Sequence, residues 1–142
     1  MSTHLEQFNQ LVAQVTNGNV NKEQRCLAEQ QIIEAQRNPD TWKIFIELLL
    51  PCDDTVLFFI CQGLRFTVIR YWHLLTVAEQ QQFTEKVLYC LMTRSNSLTV
   101  FARSKLEQVV TAICIQKSSA GTIYDYLNGS NCIQFGHQFS TY

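Results

Sequence analysis

The chain has 142 residues, of which 46% are hydrophobic and 16% charged, and its formal net charge is -1. This length suffices for one domain with a buried core, and the apolar content argues against wholesale disorder. The near-neutral charge excludes a chain-wide basic surface for nucleic acid. The chain has only two prolines and five glycines, which is too few turn-forming residues to connect the many strands of a β fold. A mostly helical protein is therefore expected.

Neither secretion, membrane insertion nor a bound metal is indicated. The N-terminus has no basic region followed by an apolar run, so no signal peptide is expected. The longest apolar stretch, Val56 to Cys61, is too short to span a bilayer. The six cysteines, at 26, 52, 61, 90, 114 and 132, include no CxxC or zinc-type spacing. We therefore expect reduced thiols that mostly pack on helix faces, with no metal and no cofactor.

Apolar residues three and four positions apart predict three helices in the first part of the chain. The first begins near Leu5 and ends at Gly18, where a C-cap is expected. The second begins at the capping residue Asn21 and stops before Pro39, while Asn38-Pro39-Asp40 predicts the start of a third that Pro51 ends. The predicted buried residues are Leu5, Phe8, Leu11, Val12 and Val15, then Leu27, Ala28, Ile32 and Ala35, then Trp42, Phe45, Ile46 and Leu49.

Three more helices follow. The fourth begins at Asp53-Asp54, runs to about Trp72 and has two apolar faces, which is typical of a helix packed on both sides. Thr76 to Glu79 forms a capping box that opens the fifth, and the sixth follows a polar break and ends near 116. The predicted buried residues include Leu57, Cys61, Leu64, Val68 and Tyr71, then Phe83, Val87, Leu88 and Leu91, then Leu98, Phe101, Ala102, Leu106, Val109, Val110 and Ile113.

Short breaks join the six predicted helices, so they read as three antiparallel pairs whose offsets match HEAT or armadillo-like repeats. The predicted fold is therefore all-α, a right-handed α-solenoid of about three HEAT-like helix pairs over residues 1–117. A compact six-helix bundle is the alternative. The stacked pairs are favoured because the middle pair is the most apolar, as a unit flanked on both sides must be.

Residues 118–142 differ in composition from the rest of the chain. They contain no Lys or Arg and a single acid, Asp125, whereas residues 1–117 hold eleven basic and eleven acidic residues. Ser118-Ser119-Ala120-Gly121 is a loop pattern, and no helical stripe follows it. We predict a poorly ordered tail from 118, outside the repeat pattern.

The residues offer little support for an enzyme. His73 with Cys61 or Cys90 is the best nucleophile and base pair available, yet each thiol lies in a run of packing residues. Asp53 and Asp54 are a possible cation site, but adjacent acids at a helix start already serve the cap and the helix dipole. None of the phosphate-binding, zinc-protease or hydrolase strings occurs. The chain is expected not to be an enzyme.

Cations concentrate on helices that stand second in their pairs. Arg65 and Arg70 lie on the fourth helix, Arg103 and Lys105 on the sixth, and Lys22, Arg25 and Arg37 on the second. A solvated helix face is one interpretation. The other is a basic inner surface that binds a protein partner, because helical solenoids bind through their inner faces.

Two strings in the chain match a known helical-repeat pattern, namely Asn38-Pro39-Asp40-Thr41-Trp42, and Phe101-Ala102-Arg103-Ser104-Lys105-Leu106 with Val109-Val110. The first is similar to the N-terminal domain of the importin-β superfamily, and the second resembles a repeat helix of the exportins, which the chain resembles most closely. The resemblance covers roughly residues 5 to 116. The residues that follow the family series in order are Ala28-Glu29, Trp42, Asp54, Val56, Phe58 or Phe59, Leu64, Trp72 and Leu75.

The resemblance implies a non-enzymatic nuclear transport module that shuttles between nucleus and cytoplasm and binds the small GTPase Ran in its GTP form. The implied contact helices are 21–37, 54–72 and 98–116. Charge and placement single out Arg65, Arg70, Arg103 and Lys105 as the candidate protein-binding residues. No direct nucleic-acid binding is expected, and a cargo protein would bind only where the later repeats of a full receptor are present.

Two alternatives fit the same composition. A HEAT-type scaffold or adaptor would hold another protein irrespective of nucleotide and without any link to Ran. Since three pairs are the minimum for a stable stack, the chain is also compatible with a truncated product whose last pair exposes an apolar face.

Overall fold

The structure, a computed structural model, describes residues 2–119, and within this range the chain forms six α-helices and no strand. The predicted all-α class is confirmed, and each helix lies where its apolar pattern predicted. The helices are α1 (Ser2–Thr16), α2 (Lys22–Arg37), α3 (Trp42–Leu48), α4 (Asp54–Tyr71), α5 (Val77–Arg94) and α6 (Val100–Ser119), and a 3₁₀ turn, Trp72–Leu74, follows α4.

Side-chain caps fix four of the described helix starts, including that of α6, where the Thr99 hydroxyl accepts the Ala102 amide at 3.3 Å. The Asn21 side chain accepts a hydrogen bond from the backbone amide of Gln24 at the start of α2, and Asp53 does the same for α4. At α5 the Glu79 amide donates to the Thr76 hydroxyl at 3.1 Å, and the Thr76 amide donates to the Glu79 carboxylate at 2.9 Å. This second bond lowers the pKa of the Glu79 carboxyl. The predicted capping box is confirmed.

The predicted Gly18 C-cap is wrong. Helix α1 ends at Thr16, so Gly18 lies at the position expected for a capping glycine, but it does not adopt the left-handed backbone conformation that defines such a cap. Asn17 ends the helix instead, because its side-chain oxygen accepts the Asn19 amide at 3.0 Å. An Asx turn of this kind reverses the chain without a positive φ.

The predicted start of α3 at Asn38 is also wrong by a few residues. The backbone amide of Asn38 caps the end of α2, and its side-chain oxygen accepts the Asp40 amide at 2.8 Å. This turn closes the connection between the two helices, so α3 begins only at Trp42, without a side-chain cap. The same residue types serve a helix start and a turn, and only the flanking geometry distinguishes them.

The predicted tail lies mostly outside the described residues. Helix α6 runs to Ser119, so the loop expected from Ser118 is wrong for its first two residues. Serine is tolerated in the last turn of a helix, where boundaries are set by the preceding hydrogen bonds rather than by propensity. Residues 120–142 lie outside the described part of the chain.

The helices pack in two sets. Helices α2, α4 and α6 contact one another in that order, and α3 contacts both α4 and α5. Residue numbers increase along both α4 and α6 in their successive contacts, from Asp54 with Thr99 to Phe58 with Lys105. These two helices therefore run in the same direction. Contacts between α3 and α5 also ascend, from Lys43 with Glu79 to Glu47 with Lys86.

Helix α4 is the centre of the core because it contacts α1, α2, α3 and α6. Its second apolar face, predicted to be buried, is only half-buried at Phe59 and Phe66, and Ile69 is 47% exposed. The residues buried on α4 are Val56, Leu57, Ile60, Cys61, Gly63, Leu64, Thr67 and Val68.

Gly63 permits the closest approach in this core. A Cβ atom built there would lie 2.5 Å from the ring of Phe45 and 3.2 Å from the Cγ atom of Gln36. Phe45 is itself fixed by an edge-to-face contact with Phe8 at 5.3 Å between ring centroids. Glycine is therefore required where α2, α3 and α4 meet.

A second aromatic cluster joins α3, α5 and the turn after α4. Phe83 lies between Trp42 and Trp72, with ring centroids 5.5 Å away on each side. All three rings are buried. Since they come from three elements, the cluster fixes α5 against the preceding helices.

On α2 and α6, two more residues predicted to be buried are exposed. Leu27 is 61% exposed and Phe101 is 77% exposed, although their neighbours Ala28 and Ala102 are each 1% exposed. In both helices the small residue faces the adjoining helix, and the larger one lies about 100° further around the axis. Apolar spacing alone does not centre a stripe that includes adjacent apolar residues.

Arg94 ties the end of α3 to the start of α6. Its guanidinium donates to the Leu49 carbonyl at 2.7 Å and lies 3.6 Å from the Asp54 carboxylate. Asp54 in turn accepts the Thr99 amide at 2.6 Å. Because the Arg94 side chain is only 15% exposed, this network is largely shielded from water.

We expect the Gly63→Ala substitution to destabilise the protein. Overpacking costs about 1 to 3 kcal/mol, which exceeds the roughly 1 kcal/mol that alanine gains in helix propensity. Gly18→Ala is the matched control, because nothing lies within 4 Å of a Cβ built at Gly18. Urea denaturation followed by circular dichroism measures both, and a Gly63→Ala variant as stable as the control would contradict the expected close approach.

We expect Arg94→Met to lower the free energy of unfolding by about 2 kcal/mol, because the buried Leu49 carbonyl loses a charged donor. Lys86→Met is the control, since the exposed pair of Lys86 with Glu47 is worth about 0 to 1 kcal/mol. Thermal and urea unfolding compare the two variants. Equal stability of the two would show that the Arg94 network contributes no more than a surface pair.

Candidate protein-binding groove

A groove crosses the exposed side of α2, α4 and α6 and has a volume of about 320 Å³. We call it the basic groove because it contains three cations and no carboxylate. Its walls come from three helices that lie side by side. The lining residues are Ile33, Gln36, Arg37, Gln62, Arg65, Phe66, Lys105 and Gln108.

The structure brings some of the predicted binding residues together. Arg65 and Lys105 both line the basic groove, and Arg37 joins them from α2. Arg70 lies at its edge, 5.8 Å from the ring of the lining residue Phe66. Arg103 does not line the groove, because it is two residues from Lys105 and so points about 200° away around α6.

Aromatic rings contact two of the three cations that line the basic groove, and Arg70 at its edge. The guanidinium groups of Arg37 and Arg70 each lie 5.8 Å from the ring centroid of Phe66. The ammonium group of Lys105 lies 5.1 Å from the ring of Phe58. Such contacts orient a cation while leaving its outward N–H groups available to an acceptor.

The floor of the groove is fixed by an amide that crosses from α2 to α4. The Gln36 side-chain amide donates to the Phe59 carbonyl at 2.9 Å and to the Gln62 side-chain oxygen at 3.3 Å. Both glutamines line the basic groove. These bonds hold the two helices in one register, so the cations on either side keep a constant separation.

Two other depressions border α2. One, of about 210 Å³, shares Ile33, Gln36 and Gln62 with the basic groove and adds Glu29. The other is larger, about 570 Å³, but is lined only by α2 residues and the following Asn38. A surface formed by one helix encloses no ligand, so the basic groove is the better candidate site.

The acidic pair at the start of α4 has structural partners. Asp53 accepts the Val56 amide at 2.8 Å as the helix cap, and Asp54 binds Arg94 and the Thr99 amide. Within residues 2–119 no group of three or more His, Cys, Asp or Glu side chains is arranged to hold a metal ion. The cap interpretation of these acids is therefore the one that the contacts support.

The thiols considered as nucleophiles are buried. Cys61 and Cys90 are each at most 1% exposed, whereas His73 is exposed in the 3₁₀ turn. Burial raises the pKa of Cys61 well above its ordinary value and that of Cys90 to about 11. Both thiols are thus protonated at neutral pH, a state that is poorly nucleophilic.

Sequence reasoning missed part of the basic groove. Arg37 was one of several second-helix cations, but nothing in its spacing distinguished it from Lys22 or Arg25. Phe66 belongs to the second apolar face of the fourth helix, which was expected to be packed, and the glutamines matched no motif. One clue was that α2, α4 and α6 each carry both cations and glutamines. This clue points to a shared surface only once the three helices are known to be adjacent.

Comparisons of the chain with protein-family models, with curated proteins and with solved structures find no match. In the described part of the chain, no helix combines the length and apolarity needed to cross a membrane.

We expect alkylation with iodoacetamide near pH 8 to distinguish the cysteines, because Cys26 is exposed and Cys52, Cys61 and Cys90 are buried. Cys26 should be modified first, and the buried thiols only through opening of the structure, roughly a hundredfold or more slowly. Peptide mapping by mass spectrometry follows each site. Faster modification of Cys61 or Cys90 than of Cys26 would show an accessible, ionised thiol and would restore the nucleophile hypothesis.

The raised pKa of Cys90 also predicts how the stability of the protein changes with pH. The folded-state pKa of about 11 exceeds the ordinary value of 9.0, so unfolding is favoured once unfolded thiols ionise while the folded one does not. The contribution to stability is complete below about pH 9 and is lost as the pH rises toward 11. Replacing Cys90 by Ala should reduce the fall in stability over that range, as measured by urea denaturation.

Proposed function

We propose that the chain is part of a right-handed α-solenoid, with α1 and α2, α3 and α4, and α5 and α6 as three HEAT-like pairs. The shared direction of α4 and α6, and of α3 and α5, supports this arrangement, because stacked repeats place equivalent helices in parallel. The aromatic contact between Trp42 and Phe83, which are on first helices of successive pairs, supports it as well. A compact bundle of alternating antiparallel neighbours would not produce these ascending contacts.

On this arrangement the chain acts as the N-terminal module of an exportin-like nuclear transport receptor, which binds the GTP form of Ran in nucleocytoplasmic transport. Two observations support the proposal. The residues that resemble the importin-β superfamily extend over most of the described helices. The observation that carries it is the basic groove, which joins Arg65 and Lys105 on the helices named by the resemblance.

The proposed mechanism is selective binding rather than catalysis. A GTPase differs in shape between its nucleotide states, and a receptor favours one state only through contacts that are better in that state. Arg65, Lys105 and the flanking Arg37 and Arg70 offer charged donors to acceptors on the partner. The module thereby shifts Ran toward the complex when GTP is bound, without altering any covalent bond.

We expect the full chain to bind Ran with a non-hydrolysable GTP analogue roughly tenfold or more tightly than Ran with GDP. Surface plasmon resonance with immobilised chain measures both affinities. Arg65→Glu and Lys105→Glu should each weaken the GTP-state complex, because each turns an attraction at the groove into a repulsion. Lys86→Glu on α5 is the matched control and should leave the affinity unchanged.

Absence of binding to either form of Ran would overturn the proposal. Equal affinity for the two nucleotide states would also overturn it and would identify a scaffold or adaptor that holds its partner irrespective of nucleotide. An equal loss of affinity in all three variants, the Lys86 control included, would show that net charge rather than the basic groove governs the complex.

A further inference from the structure

In the described part of the chain, the cations of the basic groove have no acidic partner within 4 Å, as is also true of Lys22, Arg25 and Arg103, whereas three other cations are paired. Lys43, Lys86 and Arg94 lie 3.7, 3.8 and 3.6 Å from carboxylates. Across residues 2–119, no carboxylate lies within 4 Å of the cations of the groove or its edge, namely Arg37, Arg65, Arg70 and Lys105. Positive charge is therefore concentrated here in a chain whose overall charge is -1.

Three of these cations, Arg37, Arg70 and Lys105, are oriented by aromatic rings, whereas Arg65 is exposed. Phe66 has Arg37 and Arg70 on its ring, and Lys105 lies over Phe58. A ligand that binds them has less side-chain entropy to overcome than one that must order free surface cations. The planar donors of arginine suit the two oxygens of a carboxylate.

The remaining lining favours a peptide as the ligand. Ile33 is 45% exposed on the floor, next to the amides of Gln36 and Gln62. This lining can contact an aliphatic side chain and the backbone amides of an extended or helical segment. Because Glu29 lies in the depression beyond Ile33, the acidic part of the segment belongs at the Arg65 and Lys105 end.

Nucleic acid fits the groove less well. Binding of single strands requires open aromatic faces on which bases stack, but the ring of Phe66 is flanked by two guanidinium groups. The net charge of -1 also gives no long-range attraction to a phosphate chain. The chain's own residues 118–142 are poorly suited too, because Asp125 is their only acid.

We infer that the basic groove is a docking site for an acidic peptide segment of a partner protein, in which carboxylates lie on one side of an aliphatic anchor. The carboxylates bind Arg37, Arg65 and Lys105, and the anchor packs on Ile33. This inference concerns the chemistry of the groove and stands apart from the identity of the partner as Ran.

Fluorescence anisotropy with the full chain tests the inference. The probe is a short labelled peptide in which a run of glutamates lies on one side of a leucine, and the comparison peptides carry glutamine or lysine in place of every glutamate. The acidic peptide should bind more tightly than both, and its affinity should fall with added salt. Arg65→Gln and Lys105→Gln should each weaken binding roughly fivefold, while Lys86→Gln should leave it unchanged.

Several outcomes would overturn the inference. Equal binding of the glutamate and glutamine peptides would remove the role of charge, and equal loss in the Lys86→Gln control would remove the role of the groove. Tighter binding of a labelled single-stranded RNA than of the acidic peptide would assign the surface to nucleic acid. A dimer at assay concentration, detected by light scattering and dissociated by Arg65→Gln, would identify a second copy as the occupant.

The outcome is distinguishable from that of the Ran experiment. Binding of the acidic peptide without nucleotide-dependent binding of Ran would retain the groove and reject the transport proposal. Selective binding of the GTP form of Ran without binding of the acidic peptide would retain the transport proposal and reject the acidic-peptide site.

Discussion

The close contact at Gly63 sets how near α2 and α3 lie to α4. It lets the ring of Phe45 and the stem of Gln36 lie against the backbone of α4. Once α2 and α3 are this near, the Gln36 amide reaches the Phe59 carbonyl and the Gln62 side chain. Gln36 thus contributes its aliphatic stem to the packing against Gly63 and its amide to the floor of the basic groove.

The basic groove forms because α2, α4 and α6 pack side by side. Arg37 comes from α2, Arg65 from α4 and Lys105 from α6, so the charges meet only because these helices contact one another. Buried residues such as Leu64, Val68 and Leu106 provide the apolar contacts that keep the helices together. The core therefore compensates for the repulsion among the cations, and their spacing is a property of helix packing rather than of any one loop.

Local signals in the chain were reliable where the chemistry is local. The Thr76 and Glu79 capping box depends on residues three apart, and its two hydrogen bonds form as predicted. Trp42, Phe45 and Ile46 were correctly placed in the core by spacing alone. Local signals failed where one composition is compatible with two structures. Gly18 was expected to cap a helix that Asn17 ends. Leu27 was expected in the core, but its neighbour Ala28 is buried instead.

Hydrophobic period, capping and composition were sufficient to predict the all-helical class, the six helices, most of the core and the concentration of cations on α2, α4 and α6. Which of these cations share a surface depended on how the helices pack. Arg103 and Lys105 are close in sequence but point to different sides of α6, whereas Arg37, Arg65 and Lys105 are far apart in sequence and line one groove. The physical reason is that helix rotation and neighbour choice are set by packing among distant residues, such as Gly63 with Phe45.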